Sequence, residues 1–163
     1  TGIEWLAVHA YQEQESQQTL AQALQEYHAV HPGLSQARHM NPKAAFFFRC
    51  HDTVHVVFGC GVEHDDEAVV KIASILGTTA GLSVLKGYVL QESLDIYWQL
   101  RVVDVLRAIG HAVVIVPRTV IRCLSQRGRW PWSDHEQYLD VSLQAIRQQS
   151  GIKVVHQAHR RGR

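Results

Sequence analysis

Between Asn41-Pro42 and Gly59-Cys60-Gly61 the chain carries no break signal. Asn is a favoured N-cap, and Pro is tolerated at the first helical position. Glycine is the common residue just past a helix end. These signals bound one helix, and a helix fixes which side chains share a face. Residues four apart stack, so His51 and His55 lie one turn apart on one side. Asp52 stands three residues before His55 and borders the same face. Glu67 follows twelve residues after His55, beyond the glycine-bounded turn. Phe46, Phe47 and Phe48 cover more than one face of this helix, which predicts burial on most sides.

The rest of the chain reads as more helices. Residues 4–30 follow helical spacing through Leu20, Leu24, Tyr27 and His31, and Pro32-Gly33 stops them. Glu63 to Glu67 is an acidic run that suits the first turn of a helix continuing to Leu76, where carboxylates meet the positive end of the dipole. Gly77 to Gly81 is a break; it lacks the Lys of a nucleotide phosphate loop. Residues 82–109 are apolar on most faces and predict two helices or one bent helix, ended by Gly110. Ala112 to Val116 reads as part of a helix kinked at Pro117 and continuing to Leu124. Residues 125–132 form a loop, and Ser133 with Glu136 reads as the capping box of a last helix. That helix carries Tyr138, Leu139, Val141, Leu143 and Ile146 and stops at Ser150-Gly151. The fold expected is all-α: a single compact helical domain of about six or seven helices over residues 1–155. Residues 156–163, basic through Arg160, Arg161 and Arg163, are expected to form a disordered tail.

Composition narrows the function classes. The chain has 163 residues, enough to bury a core without disulfides. Its formal net charge is +1, so no global field points to nucleic acid. Cys50, Cys60 and Cys123 are odd in number and lack metal-ligand spacing, which favours a reducing compartment. No apolar run approaches the roughly 18 residues of a membrane helix, and no signal-peptide pattern opens the sequence at Thr1. With eleven histidines in the chain, a lone His elsewhere carries little weight.

Two imidazoles and two carboxylates at this spacing point to a divalent metal. Zinc takes His nitrogen and Asp or Glu oxygen, and a mixed set of this kind leaves positions open for substrate. The competing reading is hydrogen-bonded histidines beside a helix-capping acid. His64, Asp65 and Asp66 are rivals to Glu67 for the last position. The pattern also differs from the zincin His-Glu-x-x-His, whose Glu is a general base.

The segment Phe48-Arg49-Cys50-His51-Asp52-Thr53-Val54-His55, with eleven residues and then Glu67, resembles the coenzyme Q biosynthesis protein four family, whose hallmark is His-Asp-x-x-His followed by eleven residues and Glu. The basic loop before the last helix and Leu143-x-x-Ile146-Arg147 near Gly151-Ile152 are similar too, so the resemblance spans roughly residues 40–152. It implies a helical fold and a divalent metal (zinc first; magnesium, iron or manganese as alternatives) on His51, Asp52, His55 and Glu67. It also implies a cavity for a prenylated aromatic or other isoprenoid lipid. The reaction implied is oxidative decarboxylation, in which the ring carboxylate of a quinone precursor is replaced by a hydroxyl. Homodimers, other quinone-biosynthesis proteins and peripheral membrane contact are the partners it implies. The location implied is the cytoplasmic side of a bacterial inner membrane or its organellar equivalent. No flavin or nicotinamide fingerprint is present, so oxidation would use the metal with dioxygen, or an outside oxidant. Two other classes stay open: a non-catalytic scaffold presenting quinone intermediates to enzymes, and a metal-dependent lyase or hydrolase of another pathway. Arg127, Arg129, Trp130 and Trp132 suggest either a membrane-facing edge or a surface turn that packs its own tryptophans.

Overall fold

The structure is a computed structural model that describes residues 9–32, 42–91 and 102–155. Among these residues the fold is all-α, with six α-helices and no strand. They are α1 (Leu20–Val30), α2 (Pro42–Phe58), α3 (His64–Leu76), α4 (Val84–Gln91), α5 (Val102–Leu124) and α6 (Leu143–Ser150). Short 3-10 turns at Ala10–Gln12, Gly81–Ser83 and His135–Tyr138 join them. The Asn41 cap, the segment between α4 and α5, and the basic tail lie outside the described residues.

Helix α2 is the central element. Its C-terminal half, from Asp52 to Phe58, is buried all round, while its first turns, including Phe46, meet solvent. α1 and α3 pack against it, and α5 packs along α3. α4 also meets α2, where Gly87 lies against the ring of Phe47; a methyl group there would collide with that ring. The core joins Tyr11, Leu20, Tyr27, Val54, Val57, Val70 and Trp130 with Leu143 and Ile146.

Helix α1 begins at Leu20 rather than near residue 4. Thr19 caps it, its hydroxyl accepting from Gln22 N while the Gln22 side chain reaches back to Thr19 N. The N–H groups of Leu20 and Ala21 donate to the carbonyls of Val141 and Leu139. In return, Leu143 N and Gln144 N of α6 donate to Gln18 O and Ser16 O. Each helix thus satisfies the orphan donors of the other with its own lead-in segment. A continuous helix over residues 13–20 would withdraw the carbonyls of Ser16 and Gln18 from α6. The same exchange moves the last cap from Ser133 to Ser142, whose hydroxyl accepts from Ala145 N. Ser133 is followed only by the 3-10 turn at His135–Tyr138.

Helix α5 continues through Gly110 and Pro117 to Leu124. An interior Gly costs only about 1 kcal/mol, a loss that packing on α3 can absorb. Pro117 sits on the exposed side, where the carbonyl it leaves unpaired can meet water. Thr119 and Cys123 face inward, with Ile115 packed against the core on the same side. Trp130 and Trp132 are both buried, against Tyr138 and Phe47 respectively, so the loop packs its own tryptophans and turns Arg127 and Arg129 outward. Cys50, Cys60 and Cys123 are separate buried thiols. Burial pushes Cys50 up to about 12 and Cys123 up to about 11.

Candidate metal centre

The turn between α2 and α3 sets the site. Gly59 has φ +70, which a side chain would strain, and Val154 fills the space where its Cβ would lie. Cys60 N donates to His55 O at 2.7 Å and closes the end of α2. His55 Nδ1 donates to Gly61 O at 2.8 Å. Gly61 N donates to Asp66 Oδ2 at 2.7 Å, tying the same residue to the first turn of α3. Gly61 therefore links His55 to α3 by two hydrogen bonds, and Glu67, next to Asp66, turns back toward α2.

His51, His55 and Glu67 come together with one ligand atom from each within 4.8 Å of the others, a group able to hold a metal ion. Glu67 Oε1 lies 3.3 Å from His55 Nε2, and Glu67 Oε2 lies 4.0 Å from His51 Nε2. The two rings meet edge-on with centroids 4.6 Å apart. Tyr27 tilts over His55 at 5.3 Å, and Phe47 stacks beside His51 at 6.1 Å. The acidic rivals separate on geometry. Asp66 is buried and caps the turn, Asp65 is exposed, and the side chain of His64 is outside the described set.

The tautomer of His55 follows from its partners. A carbonyl can only accept, so Nδ1 carries the proton and Nε2 presents a lone pair. Nε2 is fully buried and has no hydrogen-bond partner. Burial, with the charge of His51 adding to it, pushes the imidazolium down to about 3, so His55 is a neutral nitrogen donor over the whole physiological range. Its lone pair faces a carboxylate oxygen that is also an acceptor. Two acceptors at 3.3 Å repel unless a proton or a cation lies between them. Burial raises the Glu67 carboxyl, against the opposing charges of His51 and Lys71. An orphaned imidazole nitrogen opposite a carboxylate, with His51 beside them, is a donor group that could hold a divalent cation.

Asp52 borders this group. Its Oδ1 is 4.0 Å from His51 Nδ1, and its Oδ2 accepts from His28 Nε2 at 2.8 Å. Burial pushes its carboxyl up, but hydrogen bonds to His28 and His51 outweigh burial and hold it below the usual carboxylate value. His28, on α1, drew no attention in the sequence. Its only signal was a place beside Tyr27 on the helix that packs against α2, and eleven histidines dilute such a signal. His28→Ala is expected to release Asp52 and weaken metal binding by about tenfold, since partners that orient a ligand typically carry 10–100-fold in affinity. A competitive chelator titration checks it; unchanged affinity would remove His28 from the site. The acid limb of stability carries the same contact. A carboxyl held below its unfolded value of 3.8 stabilises above that pH and loses its contribution as pH falls through the folded value. The stability gap between wild type and His28→Ala should therefore shrink in acid.

No protein-family model, curated protein or solved structure matches the chain.

Proposed function

We propose that the chain binds a divalent cation through His51, His55 and Glu67, with Asp52 as a fourth donor, and acts on a prenylated aromatic carboxylate of quinone biosynthesis. Zinc is the first choice, since imidazole nitrogen and carboxylate oxygen suit it, with magnesium, iron or manganese as alternatives. The observation that carries the metal reading is the buried, partnerless Nε2 of His55 opposite Glu67. The His-Asp-x-x-His…Glu spacing supports the substrate class by its resemblance to the coenzyme Q biosynthesis protein four family. Bound there, a divalent cation supplies Lewis-acid polarisation of a substrate carboxylate or ring oxygen. His51 and His55 each offer an imidazole nitrogen from one face of α2. Tyr27 and Phe47 wall the imidazoles and exclude water from that side. Glu67, 37% exposed, marks the side from which substrate enters. The ring carboxylate leaves as carbon dioxide, water supplies the hydroxyl oxygen, and dioxygen (reduced to hydrogen peroxide) or another external oxidant accepts the two electrons and two protons.

A peripheral membrane location fits the surface. Val113, Val114, Ile121 and Leu124 of α5 are exposed, as are Leu82 and Leu85. No helix among the described residues is long and apolar enough to cross a membrane. The same apolar face supports the scaffold reading, in which the chain presents lipid intermediates to other enzymes and the metal is structural.

Complementation of a strain lacking the ring-decarboxylation step decides between these. Rescue by the wild type and none by His51→Ala/His55→Ala is the expected result. Equal rescue by both would replace the enzyme with the scaffold, and no rescue by the wild type would reject the quinone assignment.

A further inference from the structure

At the far end of α2 from its first turns, α6, the end of α5 and the segment after Gly151 enclose an open cavity of about 440 Å³. Arg122, Arg127, Arg147 and Lys153 line it, with Glu15 the only carboxylate. That concentration is local, because the whole chain carries a formal net charge of only +1. Glu15 is itself engaged: its Oε2 accepts from Gln144 Nε2 at 2.5 Å and from Gln148 Nε2 at 3.5 Å. Among the described residues none of these four cations lies within ion-pair distance of a carboxylate.

Arg147 gives the cavity a fixed floor. It is 1% exposed, and its guanidinium donates only to backbone carbonyls: Val57 O and Val56 O at 2.9 Å, Tyr11 O at 2.6 Å, and Glu13 O. Carbonyl dipoles hold its position, and Glu15 is the one carboxylate whose charge reaches it, from beyond ion-pair distance. A buried cation of this kind, sharing a cavity with three more exposed ones, makes a positive field for an anion. Guanidinium forks match phosphate geometry bidentately, and several converging cations favour a multiply charged group over a single carboxylate. The volume falls in the range of small-molecule sites and leaves room for the body of an ester beyond the phosphate.

We propose that this cavity is a binding site for a phosphate group, gripped by Arg122, Arg127 and Lys153 over the fixed guanidinium of Arg147. The phosphate belongs either to a soluble phosphate ester or to a lipid headgroup. The site stands apart from His51, His55 and Glu67, and it holds whether or not those residues bind metal.

The test uses the full chain, chelator-treated, titrated with pyrophosphate and with inorganic phosphate in a calorimeter. Saturable binding of pyrophosphate, tighter than of phosphate and weakened by added salt, is expected. Arg122→Ala and Arg127→Ala should each weaken it by about tenfold, the usual scale of a charge-assisted contact. Glu15→Gln should tighten it. His51→Ala/His55→Ala should bind as the wild type does, which separates this site from the metal centre. Arg118→Ala, an exposed arginine of α5 outside the cavity, is the control for diffuse counter-ion attraction. No saturable heat overturns the proposal. So does an Arg122→Ala/Arg127→Ala variant, folded by circular dichroism, that binds like the wild type, or an equal loss in Arg118→Ala. Flotation with phosphatidic acid vesicles, against phosphatidylcholine, identifies the source. Flotation lost in the double variant assigns a lipid headgroup; flotation unchanged while pyrophosphate binding is lost assigns a soluble ester.

Discussion

His55→Ala is expected to strip the chain of its divalent cation. Purified wild type should carry about one equivalent of metal per chain, and the variant only background, by inductively coupled plasma mass spectrometry. The size of the effect follows from the donor set. A four-donor zinc site is worth about 10–16 kcal/mol, so one neutral nitrogen accounts for a few kcal/mol, a loss on the order of 10²–10³-fold in affinity. His55 is the sharpest place to test because no other group competes for its Nε2. Removing it also empties a fully buried site, which costs some stability by itself. His51→Ala guards against that confusion, since its ring sits nearer the opening of the site, and it should lose metal while unfolding close to wild type. Glu67→Gln should lose metal and Asp65→Asn should keep it, since only Glu67 turns toward the imidazoles. If His51→Ala/His55→Ala carries as much metal as the wild type, the centre does not exist.

Arg147→Ala should destabilise the fold more than any surface change. Its guanidinium closes the carbonyl end of α2 through Val56 and Val57, and at the same time ties down Tyr11 and Glu13 of the N-terminal segment. Removing it leaves four carbonyls without their donor in a buried place, and the lost contacts to a charged group are each worth about 1.5–3 kcal/mol before relaxation and water entry reduce the sum. A net loss of about 3–5 kcal/mol is expected. At this chain length that lowers Tm by roughly 6–20 °C. Arg147→Lys should recover little, because one ammonium cannot reach carbonyls on two segments in a fixed fork. Urea denaturation measures it, and a loss below about 1 kcal/mol would show that water replaces the guanidinium at no cost. The desolvation that makes Arg147 costly to bury also pulls its guanidinium down to about 10.

Local signals sufficed wherever a residue's role depends on its neighbours along the chain. The Pro42 start and Gly59 end of α2 are legible because proline geometry and glycine φ are properties of the residue itself. The His51–His55 pairing is legible because helical spacing alone brings the two rings together. Glu67 was readable as a carboxylate at a fixed distance along the chain, but not as the one chosen over Asp65 and Asp66. That choice rests on Gly61, whose N–H takes Asp66 and leaves Glu67 to face α2.

Helix starts were the part most often misread, and for one physical cause. Residues 13–18 hold no Gly or Pro and are mostly good helix formers, yet the carbonyls of Glu13, Ser16 and Gln18 serve Arg147 and α6 instead. Ser133 has the capping pattern, yet the helix waits for Ser142, because Leu139 and Val141 are held by the first N–H groups of α1. Propensity is worth tenths of a kcal/mol per residue, and an orphan buried donor costs more than that.

By itself, then, the amino-acid sequence determined the all-α class, the long central helix, and the stacked histidines, since these follow from short-range periodicity and backbone chemistry. The tertiary structure alone decided that His28 engages Asp52, that Glu67 faces the two imidazoles, and that Arg122 and Arg127 share one cavity with Arg147 and Lys153, 20 to 31 residues further on, where the loop after α5 meets the end of α6. Those are contacts between segments far apart in the chain, where partners are set by packing and by the need to satisfy every buried donor and charge.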